Sequence, residues 1–315
     1  MRRFLLKHWF LVALAICLVI GFGIPGPFSG IANSSSFRSG VVVVVMVLMG
    51  WTLQPKSIAR SIRNPLASLL AITINVVGVP LLALPSLWFL PAELAGGLVV
   101  ASLIPCTLAS ASVWTRAAGG DDAVAMMTTV VTNLACFVVA PIGLAMTLGQ
   151  TVQINIGDQM RGLLWQVVLP LVAGQGLRQL GWAKFADTNK SGISNTAQIG
   201  ILLMVLLGAV IAAERMAVAT AIGFGPWLLT LVYAAGVHTA ALAIGYFSAP
   251  LFGIARPQQL GIAIAGSQKT LMVGLQLALA SGVSVLPMVM YHVSQLLIDT
   301  VIVRRWNQDA ESTTI

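Results

Sequence analysis

Charged residues are scarce in this chain. Only 8% of its 315 residues are Asp, Glu, Lys or Arg, 58% are hydrophobic, and the mean hydropathy is +0.94. Soluble globular domains carry about 25% charged residues, so the composition excludes that class. Apolar runs of about 20 residues recur along the chain, and this length crosses a hydrocarbon core of about 30 Å. Because the runs are continuous rather than alternating, they predict an all-α polytopic membrane protein and not a β-barrel.

Cysteine pairs and hydrolase motifs are lacking as well. Cys17, Cys106 and Cys136 fall on three separate apolar runs, which gives neither a disulfide framework nor metal-ligand spacing. The sequence contains no His-Glu-x-x-His and no Gly-x-Ser-x-Gly motif. Its adjacent Asp121 and Asp122 follow two glycines and start an apolar run, as helix-capping residues do. The sequence therefore predicts no enzyme, no cofactor and no bound metal beyond a coupling ion.

Ten membrane spans with short connecting loops are predicted. Their approximate limits are 8–25, 40–55, 65–90, 93–114, 122–148, 161–180, 193–213, 224–250, 258–281 and 283–303. With a cytoplasmic N-terminus, thirteen basic residues fall on the cytoplasmic side and only Arg38, Arg161 and Arg215 on the other. This bias predicts that both termini are cytoplasmic in a plasma (inner) membrane. It also accounts for the net charge of +8 without a nucleic-acid partner.

The first residues allow a second interpretation. The basic stretch 1–7 followed by an apolar run also resembles a signal peptide, although no small-x-small cleavage site follows it.

The spans divide into five plus five. Residues 1–150 and 151–306 would form two repeats, and residues 307–315 a flexible cytoplasmic tail. Because each half has an odd number of spans, the second half must be inverted relative to the first. An offset of 158 residues places Pro105–Thr115 opposite Ala263–Val273, the polar interruptions of spans 4 and 9. We therefore expect two broken helices that meet at mid-membrane.

Lys269 lies inside the second interruption, in the run Gly266-Ser267-Gln268-Lys269-Thr270. An ammonium at the bilayer centre costs roughly 2.5–3.5 kcal/mol on insertion scales. A chain tolerates such a group where it faces a partner, a cavity or a transport path, so Lys269 is the strongest functional candidate in the sequence.

Three motifs carry a family resemblance. The stretch 90–98, the run Pro105-Cys106-Thr107-Leu108-Ala109-Ser110 and the sequence Gly119-Gly120-Asp121 resemble the bile acid:sodium symporter superfamily. Asn133-Leu134 and Lys269-Thr270-Leu271 resemble most closely its branch typified by solute carrier family 10 member 7. The resemblance implies inverted five-helix repeats, a panel of spans 1, 2, 6 and 7, and a core of spans 3–5 and 8–10.

The resemblance also implies an ion site, with one large departure. Asn75 precedes Pro80 by five residues, where sodium-binding members have a Gln, and a hydroxyl of the following span is matched by Thr129. The glutamate of the second crossover is absent, and Lys269 brings the opposite charge to this region. The candidate ion-binding or coupling residues are Asn75, Ser110, Ser112, Thr129, Gln268 and Lys269.

The favoured hypothesis is a secondary transporter in which the Lys269 ammonium replaces the coupling cation. Burial disfavours a charged lysine, so Na⁺ and H⁺ both remain candidate coupling ions. The charge predicts a small organic anion as substrate, with bile-acid-like or sterol-like molecules as one option. The candidate substrate-cavity residues are Thr107, Asn133, Ser267, Thr270 and Gln276.

Several alternatives remain open. Lys269 could merely tie the broken helices together, by binding carbonyls or by pairing with Asp299. Asp299 itself is expected to pair at the surface with Arg304 or Arg305, and His238 is expected to be a satisfied buried histidine or a proton relay. The alternative function is a non-transporting membrane regulator of calcium homeostasis.

Overall fold

The computed structural model describes residues 9–55, 62, 65–108, 110–149, 155–218 and 223–312. These residues form helices and connecting turns and contain no strand, which confirms the all-α class. The basic segments 1–8, 56–61 and 63–64, on which part of the predicted orientation rests, lie outside the described residues. The α-helices are α1 Trp9–Gly23, α2 Ser29–Asn33, α3 Ser35–Thr52, α4 Pro65–Thr73, α5 Val79–Ala83, α6 Ser86–Phe89, α7 Ala92–Leu103, α8 Ser110–Ala117, α9 Asp122–Leu148, α10 Ile156–Leu163, α11 Leu169–Leu177, α12 Ala183–Thr188, α13 Lys190–Val218, α14 Phe224–Ser248, α15 Arg256–Ser267, α16 Leu271–Ala280 and α17 Leu286–Ser312.

Seven helical segments of the described chain are long and apolar enough to cross a membrane, or up to eight if one bent pair counts as a span. The protein is therefore an integral membrane protein, but the ten-span division stays a prediction. Several of the predicted spans are not continuous α-helices. The first bends by 98° between Val12–Gly23 and Gly26–Asn33, the third contains the π-helical turn Ile74–Gly78, and the sixth contains the π-helical turn Leu164–Val168. The fourth is split between α7 and α8, and the ninth between α15 and α16. At the other end, α17 continues to Ser312, so it includes the first six residues of the predicted tail.

The long helices pack in two groups. In the first, α3 packs against α11 and α13, and α13 packs against α1. In the second, α15 packs against α14, α4 and α9, and α17 packs against α14 and α7. The first group contains the helices of the predicted panel and the second those of the predicted core.

Small residues allow the closest approach within the first group. A Cβ on Gly50 would collide with the carbonyl oxygen of Leu171, and a Cβ on Gly174 would collide with the carbonyl oxygen of Val47. Small residues at helix crossings are the usual means by which membrane helices approach each other closely.

Two helix breaks meet inside the second group. The first separates Leu103 from Ser110, and the second separates Ser267 from Leu271. The amide of Thr270 donates to the carbonyl of Pro105 at 3.0 Å, so the breaks are in direct backbone contact. Pro105 lacks an N–H and cannot continue the helical hydrogen-bond ladder. Both breaks fall within the polar interruptions that the sequence singled out.

Candidate functional site

Lys269 lies at the contact between the two breaks, and its side chain is 0% exposed. Its Nζ atom donates to the backbone oxygen of Asn75 at 2.6 Å, to Asn75 Oδ1 at 3.1 Å and to the backbone oxygen of Ile104 at 2.9 Å. An ammonium has three hydrogens, so these three oxygens satisfy it completely. The group is therefore a buried cation inside a cage of neutral carbonyl oxygens contributed by two separate membrane segments.

A π-helical turn makes the Asn75 carbonyl available. Asn75 lies in the turn Ile74–Gly78, where the amide of Val79 donates to the carbonyl of Ile74, five residues back. In the same register the Asn75 carbonyl would need the amide of residue 80, but Pro80 has no N–H. The Asn75 carbonyl therefore lacks a helical donor and binds Lys269 instead. Single π-turns inside helices are often found at functional sites for this reason.

The Asn75 side chain also holds the end of α15. Its Nδ2 atom donates to the backbone oxygens of Ala265 at 3.1 Å, Gly266 at 3.3 Å and Gln268 at 2.9 Å. The last carbonyls of a helix have no intrahelical partner, and Asn75 supplies a donor for them. One carboxamide thus joins the Lys269 cage to the second break.

The first break is also held by hydrogen bonds to its backbone. Each of its four consecutive carbonyls, from residue 104 to residue 107, accepts a hydrogen bond from a different group. The donors are Lys269 Nζ to Ile104 O, Thr270 N to Pro105 O, Asn133 Nδ2 to Cys106 O at 2.8 Å, and Thr129 Oγ1 to Thr107 O at 3.0 Å. Irregular backbone within a membrane requires such partners, so the contacts of Thr129 and Asn133 have a structural explanation.

The second break is held by α17. Gln295 brackets Lys269: its Oε1 accepts from the Lys269 amide at 2.9 Å, and its Nε2 donates to the Lys269 carbonyl at 3.1 Å. One turn earlier, the Tyr291 hydroxyl donates to the carbonyl of Ser267 at 2.8 Å. These two side chains fix the backbone on both sides of Gln268.

Asp299 is buried, and the prediction that it pairs with Arg304 or Arg305 at the surface is wrong. Its Oδ1 atom lies 3.0 Å from His238 Nε2, and its Oδ2 atom accepts from Gln268 Nε2 at 2.5 Å. Both Asp299 and His238 are 0% exposed. Because α14 packs against α17, the His238 imidazole lies within hydrogen-bond distance of the Asp299 carboxylate, which therefore has a partner inside the protein. Lys269 does not pair with Asp299 either, because carbonyl oxygens surround its ammonium.

Hydrogen bonding constrains the protons of this pair. His238 Nδ1 faces the carbonyl oxygen of Ser267 at 3.3 Å, which can only accept, so Nδ1 carries a hydrogen. The contact between Nε2 and Asp299 then needs one proton between the two groups. The pair is therefore neutral as a whole, either as imidazolium with carboxylate or as imidazole with carboxylic acid, and it leaves the charge of Lys269 uncompensated.

Most of the predicted site residues gather at this crossing. The Ser110 hydroxyl donates to Gln268 Oε1 at 3.0 Å, and its oxygen lies 3.3 Å from the Thr107 hydroxyl oxygen. The residues that the structure brings to the two breaks or directly against them are Asn75, Thr107, Ser110, Thr129, Asn133, Ser267, Gln268, Lys269 and Thr270.

Ser112 and Gln276 lie apart from that cluster, each beside a cavity. Ser112 lines a cavity of about 70 Å³ together with Thr52, Arg116 and Lys190. Gln276 lines a cavity of about 310 Å³ and donates to Gln166 Oε1 at 2.8 Å. Both cavities are lined by segments of the predicted panel and of the predicted core, that is, at the boundary between the two helix groups.

The sequence reasoning missed the role of α17. Tyr291, Gln295 and Asp299 all contact the second break, and they follow one another at intervals of four residues. Residues four apart lie on one helix face, so this polar stripe in an apolar span was a usable signal.

The helical membrane architecture and the buried polar crossing define an integral membrane protein of the transporter class. The family comparison makes this specific, because the model of the SBF-like CPA transporter family matches residues 8–308, and the chain belongs to that family. This confirms the predicted bile acid:sodium symporter relationship.

Curated relatives cover most of the chain. A probable sodium/metabolite cotransporter, BASS4, of Oryza sativa subsp. indica is 26% identical over 94% of this chain and 75% of its own length. An uncharacterized sodium-dependent transporter, YocS, of Bacillus subtilis is 25% identical over 92% of this chain and 88% of its own. Sodium/bile acid cotransporter 7 of Danio rerio is 24% identical over 64% of this chain and 61% of its own. These relatives are named as transporters and not as enzymes.

Proposed function

We propose that this protein is a secondary active transporter that works by alternating access and that Lys269 occupies the position of a coupling cation. The observation that carries the proposal is the oxygen cage around Lys269 Nζ, formed by Asn75 and Ile104 at the meeting of two helix breaks. Unwound carbonyls at helix breaks are the usual ligands of coupling ions in transporters. In this chain a tethered ammonium takes those ligands.

Several relatives are named as sodium-dependent transporters, so the identity of the coupling ion has to be considered for this chain. A sodium ion bound among the same oxygens would have to displace the ammonium or share its ligands. We infer that the wild-type protein has no sodium site and that, if transport is ion-coupled, the coupling ion is H⁺. Ser112, one of the predicted sodium ligands, lines the small cavity and is not part of the cage around Lys269.

Two observations support an inverted repeat. Ser110 and Gln268 are 158 residues apart, the offset that superposes the two halves, and their side chains lie 3.0 Å apart. Residues at equivalent positions of two inverted repeats can contact each other only near the pseudo-two-fold axis that relates the repeats. In addition, α1, α3, α11 and α13 pack mainly against one another, and α16 makes most of their contact with the helices around the breaks. We propose that residues 1–150 and 151–306 are the two repeats and that both termini are cytoplasmic. The first helix group would then be the panel and the second group the core.

The expected substrate class needs revision. An organic anion was predicted because of the charge on Lys269. However, Lys269 is 0% exposed, its three hydrogens are bound to carbonyl oxygens, and it does not line either of the cavities at the group boundary. We therefore propose a small polar organic solute, and we treat the anion as an arm of the test.

Flux into proteoliposomes tests the function. Purified protein should catalyse uptake of an organic solute, and uptake should be equally fast in NaCl and in KCl of the same ionic strength. Uptake that depends strictly on sodium in the wild type would refute the replacement of the cation by Lys269. No uptake of any tested solute, by a folded protein, would favour the non-transporting regulator.

The variant Lys269→Met separates coupling from folding. We expect it to lose ion-coupled accumulation while keeping membrane insertion, because the cage then lacks its cation. Lys184→Met is the matched control, since Lys184 is an exposed lysine far along the chain from the breaks. Coupled uptake by Lys269→Met at the wild-type rate would contradict the proposal.

A further inference from the structure

The larger cavity at the group boundary has a distinctive lining. One wall comes from α10 and the π-turn that follows it, and the other comes from α16. Gln276 lies five residues into α16, which places it about 8 Å along the helix from the second break. The cavity measures about 310 Å³, the lower end of the range for small-molecule sites. It is thus placed where relative movement of the two helix groups would open or close it.

Carboxamides line both walls of this cavity. Gln159 and Gln166 project from one wall and Gln276 from the other. Gln276 Nε2 donates to Gln166 Oε1 at 2.8 Å, and Gln159 Nε2 donates to Ser281 Oγ at 3.2 Å. These contacts leave hydrogen-bonding capacity on both sides of the cavity.

Two acceptor atoms in this lining have no partner. The Oε1 atoms of Gln159 and Gln276 are both buried and neither accepts a hydrogen bond among the described residues. A buried acceptor without a donor destabilises the protein unless a ligand or water supplies one. If an amide were turned by 180°, an unused donor would replace the unused acceptor. The first orientation needs a donor and the second needs an acceptor, and a hydroxyl can supply either.

The charges of the lining do not favour an anion. No lysine or arginine of the described residues lines this cavity, and Asp158 is its one charged group. Asp158 is paired with Arg161 at 3.0 Å, and both side chains are well exposed to solvent, so they contribute at most a weak field. A carboxylate or sulfate moved into this cavity would lose hydration without gaining a cationic partner. A neutral solute avoids that cost.

We propose that this cavity binds a neutral, hydroxyl-bearing solute of monosaccharide size through Gln159, Gln166 and Gln276, and that this solute is the transported substrate. The inference rests on the proposed transport function. The apolar part of the lining, Leu163 and Leu277, would contact the carbon skeleton of the solute. The polyol or sugar class follows from the carboxamides and from the charge of the lining.

A matched pair of probes tests the charge preference. D-glucose and D-gluconate are of similar size and hydroxyl content, and only gluconate carries a carboxylate. Binding to the purified full-length protein is measured by calorimetry with both probes and with a panel of neutral hexoses, inositol and mannitol. We expect at least one neutral member to bind about ten-fold more tightly than gluconate. Tighter binding of gluconate would overturn the proposal, and so would the absence of binding by every neutral member.

Variants locate the site. Gln276→Leu should weaken binding of the neutral probe about ten-fold or more, and Gln159→Leu, on the opposite wall, should do the same if Gln276→Leu does not fold. Gln179→Leu is the matched control, because Gln179 lines a different cavity beside Arg178. Gln276→Lys should move the preference towards gluconate. Neutral-probe binding that is unchanged in both leucine variants would place the site elsewhere and refute the assignment.

Binding and flux together separate this inference from the proposed function. If neutral solutes bind in a manner that depends on Gln276 but are not transported, the site assignment stands and the transport proposal fails. If an anion is transported at a rate that Gln276→Leu leaves unchanged, the transport proposal stands and the substrate assignment fails.

Discussion

Replacing Lys269 gives the sharpest prediction from this structure. Lys269→Met keeps an unbranched side chain of similar length and removes the ammonium. Three buried oxygens, from Asn75 and Ile104, then lose their donor. Each buried acceptor left without a partner costs about 1–3 kcal/mol.

A second effect opposes that loss. The effective penalty for burying one charged group is several kcal/mol in a protein, and the methionine variant no longer bears it. We therefore expect a net destabilisation of about 2–4 kcal/mol, somewhat less than the oxygens alone would suggest. At roughly 2–3 °C per kcal/mol for a chain of this size, the unfolding temperature should fall by roughly 4–12 °C.

Lys269→Ala tests the cation site itself, because it removes the ammonium and leaves space beside the oxygens. The assay is thermal unfolding of detergent-purified protein, followed by tryptophan fluorescence, in NaCl and in KCl at matched ionic strength. The wild type should unfold at the same temperature in both salts, whereas Lys269→Ala should be stabilised specifically by sodium. A cation present at about 100 times its Kd would restore about 2.7 kcal/mol.

Three results would refute this reasoning. One is sodium-specific stabilisation of the wild type, which would mean that an ion site exists beside the ammonium. Another is Lys269→Met unfolding at the wild-type temperature, which would mean that the three contacts contribute nothing. The last is folded Lys269→Ala that sodium does not stabilise over potassium. Lys184→Met, at an exposed lysine, should lie within about 0.5 kcal/mol of wild type and serves as the control.

The remaining predictions concern the buried pair and the helix packing. Asp299→Ala should lower stability by roughly 1–3 kcal/mol in thermal unfolding, because His238 Nε2 and Gln268 Nε2 both lose their buried partner, and an unchanged unfolding temperature would contradict the buried pair. Gly50→Ala should destabilise by about 1–3 kcal/mol, since its Cβ meets the Leu171 carbonyl. Gly192→Ala is the matched control in a helix with open space, and it should be neutral or stabilising by up to about 1 kcal/mol in the same assay.

The class of the protein was predictable because it depends on local composition. Membrane spans follow from apolar runs, and a family relationship follows from motifs such as Pro105–Ser110. The helix breaks were predictable for a related reason. Proline at residue 105 and the polar run before Leu271 disfavour a continuous apolar helix wherever they occur, so their effect does not depend on distant residues.

The number of spans was less predictable. Hydropathy treats residues 161–180 as one continuous run, but the structure inserts the π-turn Leu164–Val168 and ends α11 at Leu177. Such turns depend on how neighbouring helices take up the freed carbonyls, and hydropathy contains no such information.

The surroundings of Lys269 were only partly predictable from the sequence. The chain alone established that a lysine interrupts an apolar span and therefore needs partners, because an unpartnered ammonium is costly at that depth. Only the tertiary structure decided which partners it has. Asn75 lies 194 residues away from Lys269 and binds it from a π-turn before Pro80. Asp299 was predicted to be a surface group because Arg304 and Arg305 follow it, but it is paired with His238. Hydropathy and motifs are local properties of the sequence. Hydrogen-bond partners depend on which helices cross, and this is determined only when the helices pack.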